Sequence, residues 1–254
     1  MTVVGADAGA SRVKLVLVRD GEVVARGAAP CGIDLAGTAQ ALLDGLLAEA
    51  GVPRSQVSAI PATGTGAEAV PFATARVNVV KVMARAGVKL VPAARTVIDV
   101  GAEEARAVRC DAKGSIADFA LNDKCAAGAG SFIEAMSRAL ECPLEEMGPL
   151  SLKAGKAIGL TAQCVIFAES EVVSLIHRRT PPEEIARAAY DAMAARVSGL
   201  LLRLGAQPEV VVVGGVARDP GFIAALGRKL GVPLTVPPDP EFAGALGAAL
   251  CAEG

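Results

Sequence analysis

Two stretches of this chain repeat one another at an offset of 92 residues, and that repeat constrains the fold more than any other feature. The first runs "GADAGASRVKLVLVRDGEVVARG" from Gly5 and the second "TVIDVGAEEARAVRCDAKGSIADFAL" from Thr96. Superposing Asp7 on Asp99 matches Gly9 with Gly101, Ala10 with Ala102, Lys14 with Arg106 and Val16 with Val108. It also brings Asp20-Gly21 within one residue of Lys113-Gly114. Each copy reads as an apolar strand (Val3–Ala6 in the first), an Asp-x-Gly turn and an antiparallel hairpin, since Asp-Gly between alternating apolar runs signals a two-residue hairpin turn. Two such units predict two related lobes, with a ligand cleft between them.

The remaining elements are helices and one buried strand. Thr38 is a candidate cap for "AQALLDGLLAEAG", with Gly51 as its stop. Thr180-Pro181 opens the longest helix, about residues 182–204, whose Ile185, Ala189, Met193, Val197, Leu201 and Leu204 share one face before Gly205 ends it. Glu209–Val213 reads as a buried strand running into a double-glycine turn and a further helix. The class is α/β, with an N-terminal lobe over residues 1–92 that carries the first turn and a C-terminal lobe over residues 93–254 that carries the second.

Charge and composition exclude several functions. The 25 basic residues are balanced by 27 acidic ones, which leaves no electrostatic footprint for nucleic acid or an anionic membrane. Seven aromatic residues, none of them Trp, offer no base-stacking platform. No apolar run reaches the roughly 18 residues of a membrane span, and "MTVVGADAG" lacks the features of a signal peptide. The chain therefore reads as a soluble cytoplasmic protein whose six cysteines stay reduced.

Four glycine turns are candidate phosphate cradles: Gly9-Ala10-Ser11, Gly101-Ala102, Gly128-Ala129-Gly130 and Gly214-Gly215. Glycine lets backbone N–H groups approach an anion closely. Singly each is an ordinary turn, but in the order hairpin, hairpin, helix, helix they match the phosphate loops and adenosine motif of the fold shared by actin, sugar kinases and heat-shock chaperone ATPases. Asp7 and Asp99 are then candidates for handling magnesium or the attacking water. The alternative is that each carboxylate only caps its own turn.

Two cysteines stand apart. Cys125 precedes a helical pattern from about Gly130 to Leu140, and Cys164 precedes one from about Val165 to Ile176. The positive end of a helix favours anionic sulfur ligation, yet two thiolates per chain fall short of the four that a 4Fe-4S cluster takes. A two-fold dimer would supply the other two. Buried inert cysteines remain the competing reading, and Cys31, Cys110, Cys142 and Cys251 read as structural. His177, the single histidine, reads as a solvated group at a helix end.

The motifs "GADAGASRVK", "VIDVGAEEARAV", "NDKCAAGAGSFIEAMS", "TAQCVIFAESEVVS", "VVVVGGVARDPG" and "PDPEFAGALGAAL" together cover most of the chain. They resemble the 2-hydroxyacyl-CoA dehydratase activator family, which includes the ATPase subunits of benzoyl-CoA reductase. The resemblance implies a two-lobed actin-like ATPase fold with duplicated lobes. It implies a homodimer, or a heterodimer with a paralogue, holding one 4Fe-4S cluster per dimer on Cys125 and Cys164 of each subunit. ATP and Mg2+ would meet Gly9, Ala10, Ser11 and Lys14 in the first loop and Gly101, Ala102 and Glu103 in the second, with Gly214 and Gly215 near the adenosine. ATP turnover to ADP would drive one low-potential electron, received from a ferredoxin or flavodoxin, into a 2-hydroxyacyl-CoA dehydratase or aryl-CoA reductase.

The chain also departs from that family. Gly101-Ala102-Glu103-Glu104 stands where activators usually read Gly-Gly-Gln-Asp, and Met83 stands where relatives often carry a His. At Glu103 a carboxylate replaces the family's amide, and beside a triphosphate that adds repulsion unless magnesium or Lys14 offsets it. The Ala-containing loop is closer to a benzoyl-CoA reductase subunit. A small-molecule kinase using the same cleft, or a dimer stapled by zinc on the same four thiolates, would fit the residues as well.

Overall fold

A computed structural model of the chain describes residues 1–122, 126–161 and 164–252. The first strands, β1 (Thr2–Ala8), β2 (Arg12–Arg19) and β3 (Glu22–Pro30), form an antiparallel meander. Its β2–β3 turn is the expected Asp20-Gly21, with φ of 53° and 81°, the pair of positive values that a tight hairpin of this hand requires. Helix α1 (Leu35–Glu49) leads to β4 (Pro61–Thr63), parallel to β1, then to β5 (Ala75–Arg76) and α2 (Val79–Leu90). The first sheet has the order β3-β2-β1-β4-β5.

The second half repeats the scheme. Strands β6 (Thr96–Val100), β7 (Ala105–Cys110) and β8 (Ile116–Asn122) form another antiparallel meander. Helices α3 (Gly130–Ala139), α4 (Leu144–Ser151), α5 (Val165–His177) and α6 (Pro182–Leu204) follow. Strand β9 (Val210–Val213) then runs parallel to β6, giving the order β8-β7-β6-β9, before α7 (Pro220–Leu230) and α8 (Ala243–Leu250). Thus β3-β2-β1-β4 corresponds to β8-β7-β6-β9. Even the register breaks recur, between Leu17 and Val18 in β2 and between Arg109 and Cys110 in β7. The second hairpin is not a two-residue turn: Asp111 Oδ1 accepts from the N–H groups of Lys113 and Ser115, both at 2.8 Å, and Gly114 takes φ of 74°.

Apolar periodicity places most helices correctly and misplaces one cap. The six residues expected on one face of α6 are all buried, and Gly205 ends the helix in the left-handed region at φ 66°. Thr180-Pro181 opens the helix as expected, with Pro181 as the N-cap and no side-chain hydrogen bond there. Thr38 does not cap α1. Asp34 does so, accepting from Gly37 N–H at 2.9 Å, while the Thr38 hydroxyl donates to the Cys31 carbonyl inside the helix's first turn.

Helices α2 and α8 pack on each other and join the lobes: α8 lies on β1, β2 and β4, and α2 contacts β6, β7 and β8. Small residues make this seam possible. A Cβ at Gly5 would lie 1.8 Å from the Ala245 carbonyl oxygen, and one at Gly247 would lie 2.2 Å from that of Val82. The larger core gathers α3, α4, α6 and α7 against β6, β7 and β9, around Phe132, Tyr190, Met193 and Phe222. Among the described residues no helix is long and apolar enough to cross a membrane.

Candidate nucleotide site

Between the lobes lies a cleft of about 590 Å³. Its lining includes every residue of the two expected phosphate loops and the double-glycine turn: Asp7, Gly9, Ala10, Ser11, Lys14, Asp99, Gly101, Ala102, Glu103, Gly214 and Gly215. Their convergence follows from the duplicated strands. In each lobe the first strand's last turn delivers an Asp to the cleft, and antiparallel register sets a cation opposite it, Lys14 facing Asp7 and Arg106 facing Asp99. The contacts repeat too. Lys14 Nζ stands 3.3 Å from Asp7 Oδ2, and Arg106 donates to Asp99 Oδ2 at 2.7 Å. Each turn is closed by the same backbone bond, Gly9 N–H to Arg12 C=O at 3.1 Å and Gly101 N–H to Glu104 C=O at 2.9 Å.

A second correspondence is invisible at the 92-residue offset. Gly64 follows β4 and Gly214 follows β9, the strands parallel to β1 and β6, with φ of 92° and 90°. A Cβ on Gly64 would lie 2.4 Å from the Ala8 carbonyl oxygen and 2.8 Å from Asp7 Oδ1; on Gly214 it would lie 2.4 Å from that of Val100 and 2.5 Å from Asp99 Oδ1. Both sites need glycine, for conformation and for room. Gly244 walls the other side of Asp7, where a Cβ would come within 2.7 Å of Oδ2. Each carboxylate is thus clamped between a glycine and a cation.

The two carboxylates differ in setting. Asp99 is buried, and burial pushes its carboxyl above the usual range; the Arg106 guanidinium opposes this shift and Asp7 adds to it. Arg106 also pairs with Glu104. The Glu104 carboxylate is thereby matched within its own lobe. Glu103 is exposed and, among the described residues, forms no ion pair. Farther along, Asp219 caps α7 through the N–H groups of Gly221 and Phe222 and accepts from the Tyr190 hydroxyl. Burial raises both the Asp219 carboxyl and the Tyr190 phenol.

The cysteines lie elsewhere. Cys125 falls outside the described residues. Cys164 is exposed at the N-cap of α5 and does not line the cleft. Among the described residues no group of three or more His, Cys, Asp or Glu side chains is arranged to hold a metal ion. Cys31, expected to be structural, is buried, and its thiol donates to the Gly9 carbonyl at 3.2 Å, so it braces the first loop from beneath. His177 is exposed in the last turn of α5, and Met83 lines the cleft. The sequence also gave no sign of Arg12, Gly64, Glu134, Glu145, Arg218, Glu241 and Gly244 as cleft residues. Only Gly64, in "ATGTG", had a readable cue, a glycine just after an apolar strand.

Two lobes of the same topology, each aiming an Asp-x-Gly turn into a shared cleft, define the actin-like ATPase fold. A glucokinase of the ROK family from Streptomyces griseus, solved with glucose and AMPPNP, shares this fold with a TM-score of 0.58, covering 100% of both chains at 15% identity. Within that fold the chain belongs to the BadF/BadG/BcrA/BcrD ATPase family, whose model matches residues 4–252. It is 37% identical to the activator of lactoyl-CoA dehydratase from Anaerotignum propionicum over 253 residues, 99% of this chain and 97% of that protein. The activator of 2-hydroxyisocaproyl-CoA dehydratase from Clostridium difficile, solved with bound ADPNP, superposes with a TM-score of 0.92 at 33% identity, covering 99% of this chain and 94% of that one.

Proposed function

We propose that this chain is an ATP-driven electron-delivery activator working as a two-fold dimer. It would deliver one low-potential electron at a time from a ferredoxin or flavodoxin to a 2-hydroxyacyl-CoA dehydratase or a similar CoA-ester reductase. One observation carries the reading: the second phosphate loop is hydrogen-bonded to the helix that leads back to the Cys125 segment. Gly130 N–H donates to the Gly101 carbonyl at 2.9 Å and Ser131 N–H to the Ala102 carbonyl at 2.8 Å. These bonds join the loop to the first residues of α3, and α3 packs on α5, whose N-cap is Cys164. Movement of the loop against a nucleotide is thereby passed to both helices behind the cysteines.

The donor set fits a 4Fe-4S cluster only as a half-site, Cys125 and Cys164 from each of two chains. When bound, such a cluster supplies one-electron chemistry. The α5 surface supports a second copy: Ile166 and Phe167, each 69% exposed, and Val173 and Ile176 leave an apolar face beside Cys164. In the cleft, Asp7 and Asp99 approach the phosphates from opposite lobes and would hold Mg2+ and orient water. Lys14 and Arg106 keep those carboxylates in place, and the N–H groups of Ala10, Ser11 and Ala102 are available to phosphate oxygens. Coupling requires that ATP and ADP prefer different arrangements of the lobes, because a ligand shifts an equilibrium only by its differential affinity.

Anaerobic purification followed by metal analysis and an absorbance spectrum tests the reading. Expected is iron near two atoms per chain, as one four-iron cluster per dimer requires, with a broad band near roughly 400 nm that Cys125→Ser and Cys164→Ser each abolish. Zinc in its place, a colourless protein that phosphorylates a small molecule, or undiminished iron in both variants would overturn it.

A further inference from the structure

Four cations line the cleft: Arg12, Lys14, Arg106 and Arg218. Three are already committed to carboxylates of the chain itself. Lys14 is held by Asp7, Arg106 by Asp99 and Glu104, and Arg218 by Glu241. Arg12 alone has no carboxylate partner and no side-chain hydrogen bond among the described residues. It occupies a built position. Its carbonyl closes the first phosphate turn, its residue begins β2 in register with Pro30, and it stands immediately after the exposed tip Ala10-Ser11. The duplicated lobe makes the contrast plain. At the corresponding place the second turn carries Glu104, whose carboxylate turns back onto its own lobe's Arg106, whereas Arg12 does not reach Asp7.

We propose that Arg12 contacts the terminal phosphate of the nucleotide and is a catalytic residue of this ATPase; the proposal rests on the nucleotide reading of the cleft. The charges require such a group. Lys14 and Arg106 are balanced in charge by Asp7, Asp99 and Glu104, and Glu103 adds a further carboxylate with no ion pair among the described residues, so the phosphate end is anionic before any triphosphate enters. A guanidinium with its planar fork unspent is the donor set best matched to phosphate oxygens. In hydrolysis the water oxygen bonds to the γ-phosphorus and the bond from that phosphorus to the β–γ bridging oxygen breaks. Its electron pair leaves with ADP, and the water proton passes to phosphate or solvent. Arg12 keeps its protons throughout and neutralises the charge that accumulates on the γ-oxygens, as arginines supplied in cis do in other phosphoryl-transfer sites.

The test uses the full chain with Mg2+ and compares binding of ADP and of a non-hydrolysable ATP analogue in wild type, Arg12→Ala and Arg12→Lys. Loss of a hydrogen-bonded charge contact should weaken the analogue about 10- to 100-fold in Arg12→Ala while ADP affinity changes little. Arg12→Lys should recover part of the analogue affinity but not kcat, because a point charge lacks the fork. Arg12 is exposed, so neither change threatens the fold. Equal weakening of both ligands, or no weakening of either, overturns the assignment to the γ-phosphate. A wild-type chain that binds neither ligand overturns the nucleotide reading and this assignment with it.

Discussion

Asp99→Asn separates what the buried carboxylate does for function from what it costs the fold. Asp99 is 7% exposed and its carboxyl lies above the ordinary carboxylate value of 3.8, because burial outweighs the Arg106 contact. A carboxyl raised in the folded state binds its proton more tightly there than in the unfolded chain. Its contribution to stability is therefore complete below pH 3.8 and is lost as pH climbs through the raised folded value. Asparagine keeps the shape and removes that loss. It weakens the 2.7 Å bond from Arg106, which as a charge-assisted contact is worth about 1.5–3 kcal/mol, but Glu104 still pairs with the same guanidinium. The two effects nearly cancel, so at neutral pH Asp99→Asn should change stability by no more than about 1 kcal/mol, or about 2–4 °C in Tm for a chain of this size. ATP turnover should nonetheless fall by about 10²-fold or more, as loss of a group that organises metal or water does. Urea denaturation from pH 4 to 8, beside a phosphate-release assay, checks both halves. The variant should gain on wild type as pH rises. A loss above about 3 kcal/mol at every pH would mean that the carboxylate is a structural anchor paired well enough to repay its burial.

Two further expectations concern the clamps around these groups. Gly214→Ala places a Cβ 2.4 Å from the Val100 carbonyl oxygen in a backbone with φ of 90°, so it should lose at least about 1–3 kcal/mol by denaturant unfolding. Gly215→Ala, next in the chain but open to space, should stay within about 0.5 kcal/mol of wild type; equal stability of the two variants would refute the steric account. Tyr190→Phe removes the hydroxyl donor to Asp219 and leaves a half-buried carboxylate with its two cap bonds, at a cost of about 1–3 kcal/mol that calorimetry can register. A Tm unchanged from wild type would mean that the cap bonds alone satisfy Asp219.

The duplicated hairpins were legible because their determinants are local. An Asp-x-Gly turn and alternating apolar residues sit at fixed spacing in both copies, and register alone then sets Lys14 against Asp7 and Arg106 against Asp99. Gly64 and Gly214 are equivalent in space but not in spacing, because α3 to α6 intervene between β8 and β9, with no counterpart of that length between β3 and β4. The cap of α1 was misread for a similar reason. Asp34 and Thr38 both suit an N-cap, and Asp34 takes the role because the helix starts at Leu35, which puts Thr38 inside the first turn, where its hydroxyl donates to the Cys31 carbonyl. The pairing of Arg106 with both Asp99 and Glu104 was not legible, because it depends on where the second turn sets Glu104 relative to β7.

The two phosphate loops are braced differently, and the proposed coupling would depend on that difference. The first loop is braced within its own lobe, with Gly9 bonded to Arg12 and supported by the Cys31 thiol. The second is braced by the start of α3, through Gly130 and Ser131. A force on the first loop is therefore absorbed by the meander that carries it, whereas a force on the second is carried into a helix. That helix packs on α5, and α5 lies against α6, the longest element of the larger core. Duplication supplied two equivalent loops, and the hydrogen bonds of Gly130 and Ser131 tie the second to α3, the connection that the proposed coupling would use.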